Sequence, residues 1–126
     1  MAVTNNPMVC DKFKGRLEFY GTDYLGVLKA VRDKIHLGHS LLTHPLSGSV
    51  KPWETPYKTV IVTDEKGALN DAAFAEVFAK DIAIIEESIQ TCIKFGAQAS
   101  KKEWDERTLA DFQLIDYNLI STGSNT

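Results

Sequence analysis

The sequence predicts an α/β fold: a small, mostly parallel sheet of about four strands flanked by helices, with two helices at the C-terminal end. Three observations carry that prediction. Short strand-like runs in the first half alternate with helix-period stretches, so successive strands must be joined by crossovers. Two long stripes of apolar residues at steps of three and four fill the second half. The chain has 126 residues, 44% of them hydrophobic and 25% charged, which is the size and composition of one domain. Without a fixed-period repeat or a linker, residues 1–126 read as a single α/β domain with a short polar tail at about 121–126.

The opening "MAVTNNPMVCDKF" predicts a very short strand and then a helix. Asn6 is placed to cap that helix, and Pro7 suits its first position, where a missing N–H has no helical partner to lose. "RLEFYG" reads as a second strand, with Leu17 and Phe19 on one side and Gly21 closing it. From Thr22 to about Leu37, Tyr24, Leu28, Val31 and Ile35 recur at helical steps, and Gly38 is the expected stop. "HSLLTH" is short enough for a strand buried on both faces, and "PYKTVIVT" is a stronger strand because Thr59, Val60, Ile61, Val62 and Thr63 are mostly β-branched. No helix separates these two, so the 44–56 connection is either a wide crossover or the link of an antiparallel pair that places an odd strand at an edge.

In "DEKGALND", Asn70 is the expected cap, with Leu69 and Phe74 spaced as a hydrophobic staple. The long helix that follows carries its stripe on Phe74, Phe78, Ile82, Ile85, Ile89 and Cys92 or Ile93. Ser100 and Glu103 have the spacing of a capping box, opening a last helix whose apolar face includes Trp104, Phe112, Ile115 and Leu119 and which ends at Gly123. The near-continuous "IAIIEESIQTCI" covers the sheet and leaves apolar area for a second subunit, so a homodimer is a candidate assembly.

Composition excludes several classes of function. A net charge of −3 and a pI near 5.6 leave no basic stripe for a phosphate backbone, so nucleic acid is not an expected partner. No basic segment leads into an apolar signal core, and no run reaches the ~18 apolar residues that span a bilayer. The expectation is a cytoplasmic protein with no membrane partner. Cys10 and Cys92 are far apart, lie in helical segments and read as buried thiols rather than a redox pair.

In open α/β sheets ligands gather outside the carboxyl ends of the strands. If the first strand and "HSLLTH" are parallel neighbours, Asn5, Asn6 and Thr43–Ser49 meet there. The asparagine amides donate and accept, and Ser47-Gly48-Ser49 brings hydroxyls and backbone together, which suits a small carboxylate or phosphate-bearing ligand. Ordinary capping by Asn6 and an ordinary turn at "LSGS" are the competing structural readings. The long loop favours function, because connections beyond ~12 residues are uncommon in compact domains. The expected ligand-binding set is Asn5, Asn6, His44, Ser47, Gly48, Ser49, Lys51 and Glu54.

His44, Ser47 or Ser49 and Glu54 also supply the types of a base, a nucleophile and an orienter, with Lys51 to stabilise negative charge, so His44, Ser47, Ser49 and Lys51 are the catalytic candidates of an alternative, enzymatic reading. Trp53 is a candidate lid or partner anchor for a third reading, a protein-interaction module. The chain has no G-x-S-x-G, phosphate-loop, G-x-G-x-x-G or H-E-x-x-H sequence, and no cofactor is expected. His36, His39 and His44 do not make an expected metal site: a strand of five steps at ~3.3 Å holds His39 roughly 16 Å from His44.

"TNNPMV" and "HLGHSLLTHPLSGSVKPWETPYKTVIV" together resemble the GrdX-like proteins, small chains associated with glycine, sarcosine or betaine reductase systems. The resemblance marks Asn5, Asn6, Pro7, His44, Pro45, Ser47, Gly48, Ser49, Lys51, Pro52, Glu54 and Pro56 as the matching positions, with no assigned role for any of them. It implies an accessory protein whose partner is glycine or another small polar metabolite, or a reductase-system protein. The residues themselves point to a small polar ligand.

Overall fold

The computed structural model of the chain describes residues 1–47, 55–96 and 103–123. Along them run β1 (Ala2–Thr4), α1 (Pro7–Lys12), β2 (Leu17–Phe19), α2 (Tyr24–His36), β3 (Thr59–Ile61), α3 (Ala72–Gly96) and α4 (Glu106–Gly123). The sheet has the order β2-β1-β3, with β1 parallel to β2 and antiparallel to β3. The fold is therefore mixed α/β, and the expectation of about four, mostly parallel strands is corrected to three strands in a mixed sheet.

The difference lies in "HSLLTH". Only Leu41 bridges to the far strand, opposite Val62. Beyond it the Leu42 and Thr43 N–H groups both donate to the Ile61 carbonyl, at 2.9 and 3.2 Å, while the Thr43 hydroxyl accepts from the Ile61 N–H at 2.9 Å. A side-chain oxygen thus occupies the place of a ladder carbonyl, and pairing stops after one bridge. The bridge is antiparallel and β3 lies at an edge, which is one of the two arrangements the sequence left open.

Strand alternation divides the core into two layers. Val3 and Val60 face α2 and α3, packing with Val27, Leu28, Val31, Ile35, Ile85, Ile89 and Cys92. Ala2 and Ile61 face α1 and α4, packing with Val9 and Ile120. Each fully buried aliphatic side chain of this kind contributes about 1.5–3 kcal/mol. The first layer is the larger because α2 and α3 both present long stripes to it.

Helix ends follow local chemistry. Asn6 caps α1 by accepting from the Met8 N–H at 3.0 Å, with Pro7 in the first turn as expected. Asp23 caps α2 through the Gly26 N–H at 2.8 Å. At α3 the cap is Asp71 rather than Asn70, accepting from Ala73 and Phe74 N–H. At α4 it is Asp105, accepting from the Thr108 N–H at 2.7 Å; the proposed cap Ser100 lies outside the described residues. The last helix also turns a different face inward. Ile115 and Leu119 are 42% and 40% exposed, whereas Asp116 and Ile120 are buried.

Past α2, Gly38 takes φ +113°, and a Cβ there would lie 2.9 Å from the Gly67 carbonyl oxygen. Both the backbone and the space demand glycine. Gly38→Ala is expected to cost about 1–3 kcal/mol in urea unfolding; a change under about 0.5 kcal/mol, the range of an ordinary surface substitution, would contradict this account. The cysteines behave differently from each other. Cys10 is exposed, which corrects the expectation of a buried thiol, and Cys92 is buried. Burial, aided by the charge of Asp23, pushes the Cys92 thiol up to about 11.

Candidate functional site

The carboxyl ends of β1 and β2 and the start of β3 share one rim of the sheet, as their pairing directions require. Asn5 and Asn6 leave β1 at this rim, and both are buried. The Asn5 amide nitrogen donates to the Thr22 and Pro56 carbonyls, each at 2.8 Å, and its oxygen accepts from the Lys58 N–H at 2.9 Å. Both amide hydrogens and the amide oxygen thus serve to join three backbone segments. Asn6 is engaged just as fully: besides capping α1, its amide nitrogen donates to the Gln113 carbonyl and to Asp116 Oδ2.

Asp116, from α4, gathers the polar groups of the rim. Its carboxylate accepts from the Thr59 N–H at 3.0 Å, the Thr59 hydroxyl at 2.6 Å and Asn6 Nδ2 at 3.0 Å. The hydroxyl direction is thereby set. Thr59 spends its proton on Asp116, so it accepts from the Thr4 hydroxyl at 2.7 Å, and Thr4 Oγ1 in turn accepts from the Asn6 N–H. A carboxylate buried on an otherwise apolar helix face is tolerable because donors surround it.

Lys58 precedes β3 and is only 4% exposed. Its Nζ donates to the Ser47 carbonyl at 2.9 Å and to the Ser47 hydroxyl at 3.3 Å. Burial brings the amine down to about 8, and the negative charge of Asp116 opposes that shift. No direct ion pair joins Lys58 to Asp116 among the described residues. Both line a recess of about 20 Å³ with Tyr24, Ser47, Tyr57 and the apolar edge of α4. Tyr24 donates to the Pro45 carbonyl at 3.3 Å, and burial raises its phenol well above the ordinary tyrosine range.

Two segments remote in the chain therefore meet at Lys58, whose backbone binds Asn5 and whose side chain binds Ser47. The other expected site residues are placed differently. His44 is exposed, and its Nδ1 accepts from the Leu46 N–H at 3.0 Å, closing a turn with the Ser47 N–H on the His44 carbonyl. Gly48, Ser49, Lys51 and Glu54 lie outside the described residues, as does Trp53. The strand meant to separate His39 from His44 is absent apart from the Leu41 bridge, so that spacing argument loses its premise. His36 packs edge-on against Phe78, and His39 Nδ1 lies 2.7 Å from the Thr63 carbonyl. No group of three or more His, Cys, Asp or Glu side chains is placed to hold a metal among the described residues.

Lys58 and Asp116 escaped the sequence reading, although each left a trace. Lys58 leads directly into the β-branched run "TVIV", where a residue at the strand's base is drawn toward the core. Phe112, Asp116 and Ile120 recur at steps of four, which puts the carboxylate in line with two apolar residues.

No helix among the described residues is long and apolar enough to cross a membrane. No curated protein and no solved structure matches the chain significantly. The family model described as GrdX-like protein matches residues 1–124, nearly the whole sequence, and the chain accordingly belongs to the GrdX-like family, a group associated with glycine reductase-type systems.

Proposed function

We propose that the chain is an accessory protein of a glycine reductase-type system that binds a small zwitterionic or anionic metabolite at the sheet rim. Lys58 meets the carboxylate of the ligand in the recess, and Ser47 orients it. Asn5 and Asn6 act by fixing the rim rather than by touching the ligand, because their amides are engaged within the chain. One observation carries the reading: a buried cation and a buried anion line the same recess without pairing directly. Buried charges without mutual pairing are costly, and such pairs collect at functional sites. A recess of about 20 Å³ admits one water-sized group, so the charged end of the ligand enters and the remainder lies over the exposed Ser47, Ile115 and Leu119 at its border.

Isothermal titration with glycine, betaine, acetate and acetyl phosphate tests the assignment. At least one is expected to bind with a Kd on the order of 1 mM or tighter. Lys58→Met is expected to weaken that binding about ten- to a hundredfold, the value of a charge-assisted hydrogen bond. A folded protein that gives no heat with any of the four would overturn the proposal.

A further inference from the structure

We infer that Lys58 is also an amine nucleophile, capturing small aldehydes reversibly as an imine in the rim recess. The inference rests on the metabolite-binding reading of this recess, but it demands different chemistry from the ligand. The geometry around Nζ is the starting point. A neutral amine has two hydrogens and one lone pair, and Nζ has two acceptors, the carbonyl and the hydroxyl of Ser47. These two contacts match the two hydrogens of the neutral, nucleophilic form. Low exposure and the resulting depression of the amine to about 8 act in the same direction.

The surroundings suit the whole sequence of steps. Nζ attacks the carbonyl carbon, the π electrons move to oxygen, and one proton passes from nitrogen to that oxygen to give a carbinolamine. The nitrogen lone pair then expels the hydroxyl, which takes a proton and leaves as water. Counted from the ammonium, one cation and one aldehyde become one protonated imine and one water, so the charge facing Asp116 does not change. Asp116, already holding Thr59 and Asn6, attracts the iminium as it attracts the ammonium. Among the described residues, the other polar side chains facing the recess are the hydroxyls of Tyr24, Ser47, Thr55 and Tyr57. Space sets the substrate class. About 20 Å³ accepts a carbonyl carbon bearing hydrogen more readily than one carrying two substituents, which selects aldehydes over ketones.

The test uses the full chain with glyoxylate or acetaldehyde at pH 8, sodium cyanoborohydride to trap the iminium as a secondary amine, and peptide mapping by mass spectrometry. Lys58 is expected to be labelled at least tenfold faster than exposed lysines such as Lys29, with a rate that rises through a midpoint near pH 8. Labelling of Lys58 no faster than of Lys29, in protein that still melts cooperatively, would overturn the inference. Lys58→Arg is expected to remove the fast label while leaving the slow ones, and persistence of fast labelling elsewhere would equally count against it. Titration with acetate and glycine, which carry no aldehyde, separates the two readings. Binding of these without fast labelling refutes imine formation and retains the metabolite site, and fast labelling without their binding does the reverse.

Discussion

Asp116→Ala is expected to lose about 3–5 kcal/mol of unfolding free energy, because two obligatory donors, the Thr59 N–H and Asn6 Nδ2, are left buried at about 1–3 kcal/mol each. Few single changes in this chain should cost as much. The total stability of a domain of this size is on the order of 5–15 kcal/mol, so the variant sits close to unfolding. Asp116→Asn is a sharper probe. Its single acceptor oxygen cannot serve three donors, and its NH₂ group faces donors, so more than half of the loss is expected to remain. Urea unfolding with an unchanged m-value measures both. A loss below about 1 kcal/mol for the alanine variant would mean that the network in the structure does not hold α4 to the sheet.

The second large effect is a pH dependence. The folded-state value of Lys58 is near 8 and its ordinary value is 10.5, so between these the unfolded chain binds a proton that the folded chain has released. Stability attributable to this group therefore rises with pH through that window, by up to about 3 kcal/mol at 1.36 kcal/mol per unit. Below pH 8 the buried charge is a full penalty. Cys92 works against it: its thiol is held up at about 11, so from about 9 to 11 the folded chain keeps a proton that the unfolded chain loses, and stability falls. Tyr24, raised by burial, adds a further fall at the alkaline end. The informative quantity is the difference between wild type and Lys58→Met, in which the Cys92 and Tyr24 contributions cancel. Lys58→Met is expected to be the more stable protein at pH 7, with the gap closing between pH 8 and 10.5. A gap independent of pH would show that Lys58 is not desolvated.

Features decided by neighbours in sequence are legible in the sequence itself. The Asn6-Pro7 start of α1 and the Gly38 stop of α2 each depend on a few adjacent backbone groups, and both occur where residue chemistry puts them. The stripe Phe78, Ile82, Ile85, Ile89 and Cys92 also lies on the inward side of α3, because apolar spacing was unbroken there. The sheet was harder. "HSLLTH" has a strand's composition, yet the Thr43 hydroxyl captures the Ile61 N–H and ends the ladder, an event that depends on a partner 18 positions away.

The face of α4 failed for a related reason. Counting apolar residues favours Ile115 and Leu119, whereas the helix is rotated to bring Asp116 to donors supplied by residues 6 and 59. No local pattern contains those donors. The candidate site shares this limit: the sequence reading drew the rim from a parallel pairing of the first strand with "HSLLTH", whereas β1 pairs with β2 and β3, and Asn5 and Ser47 are each bound to Lys58, a residue type that ordinarily points to water.

Asn5 has a mechanical consequence of its own. Its one side chain rivets the approach to α2, through Thr22, to the approach to β3, through Pro56 and Lys58, at the tip of the middle strand. Neither approach can loosen independently, since freeing one strands the amide of the other. Openings at this end of the molecule are therefore concerted.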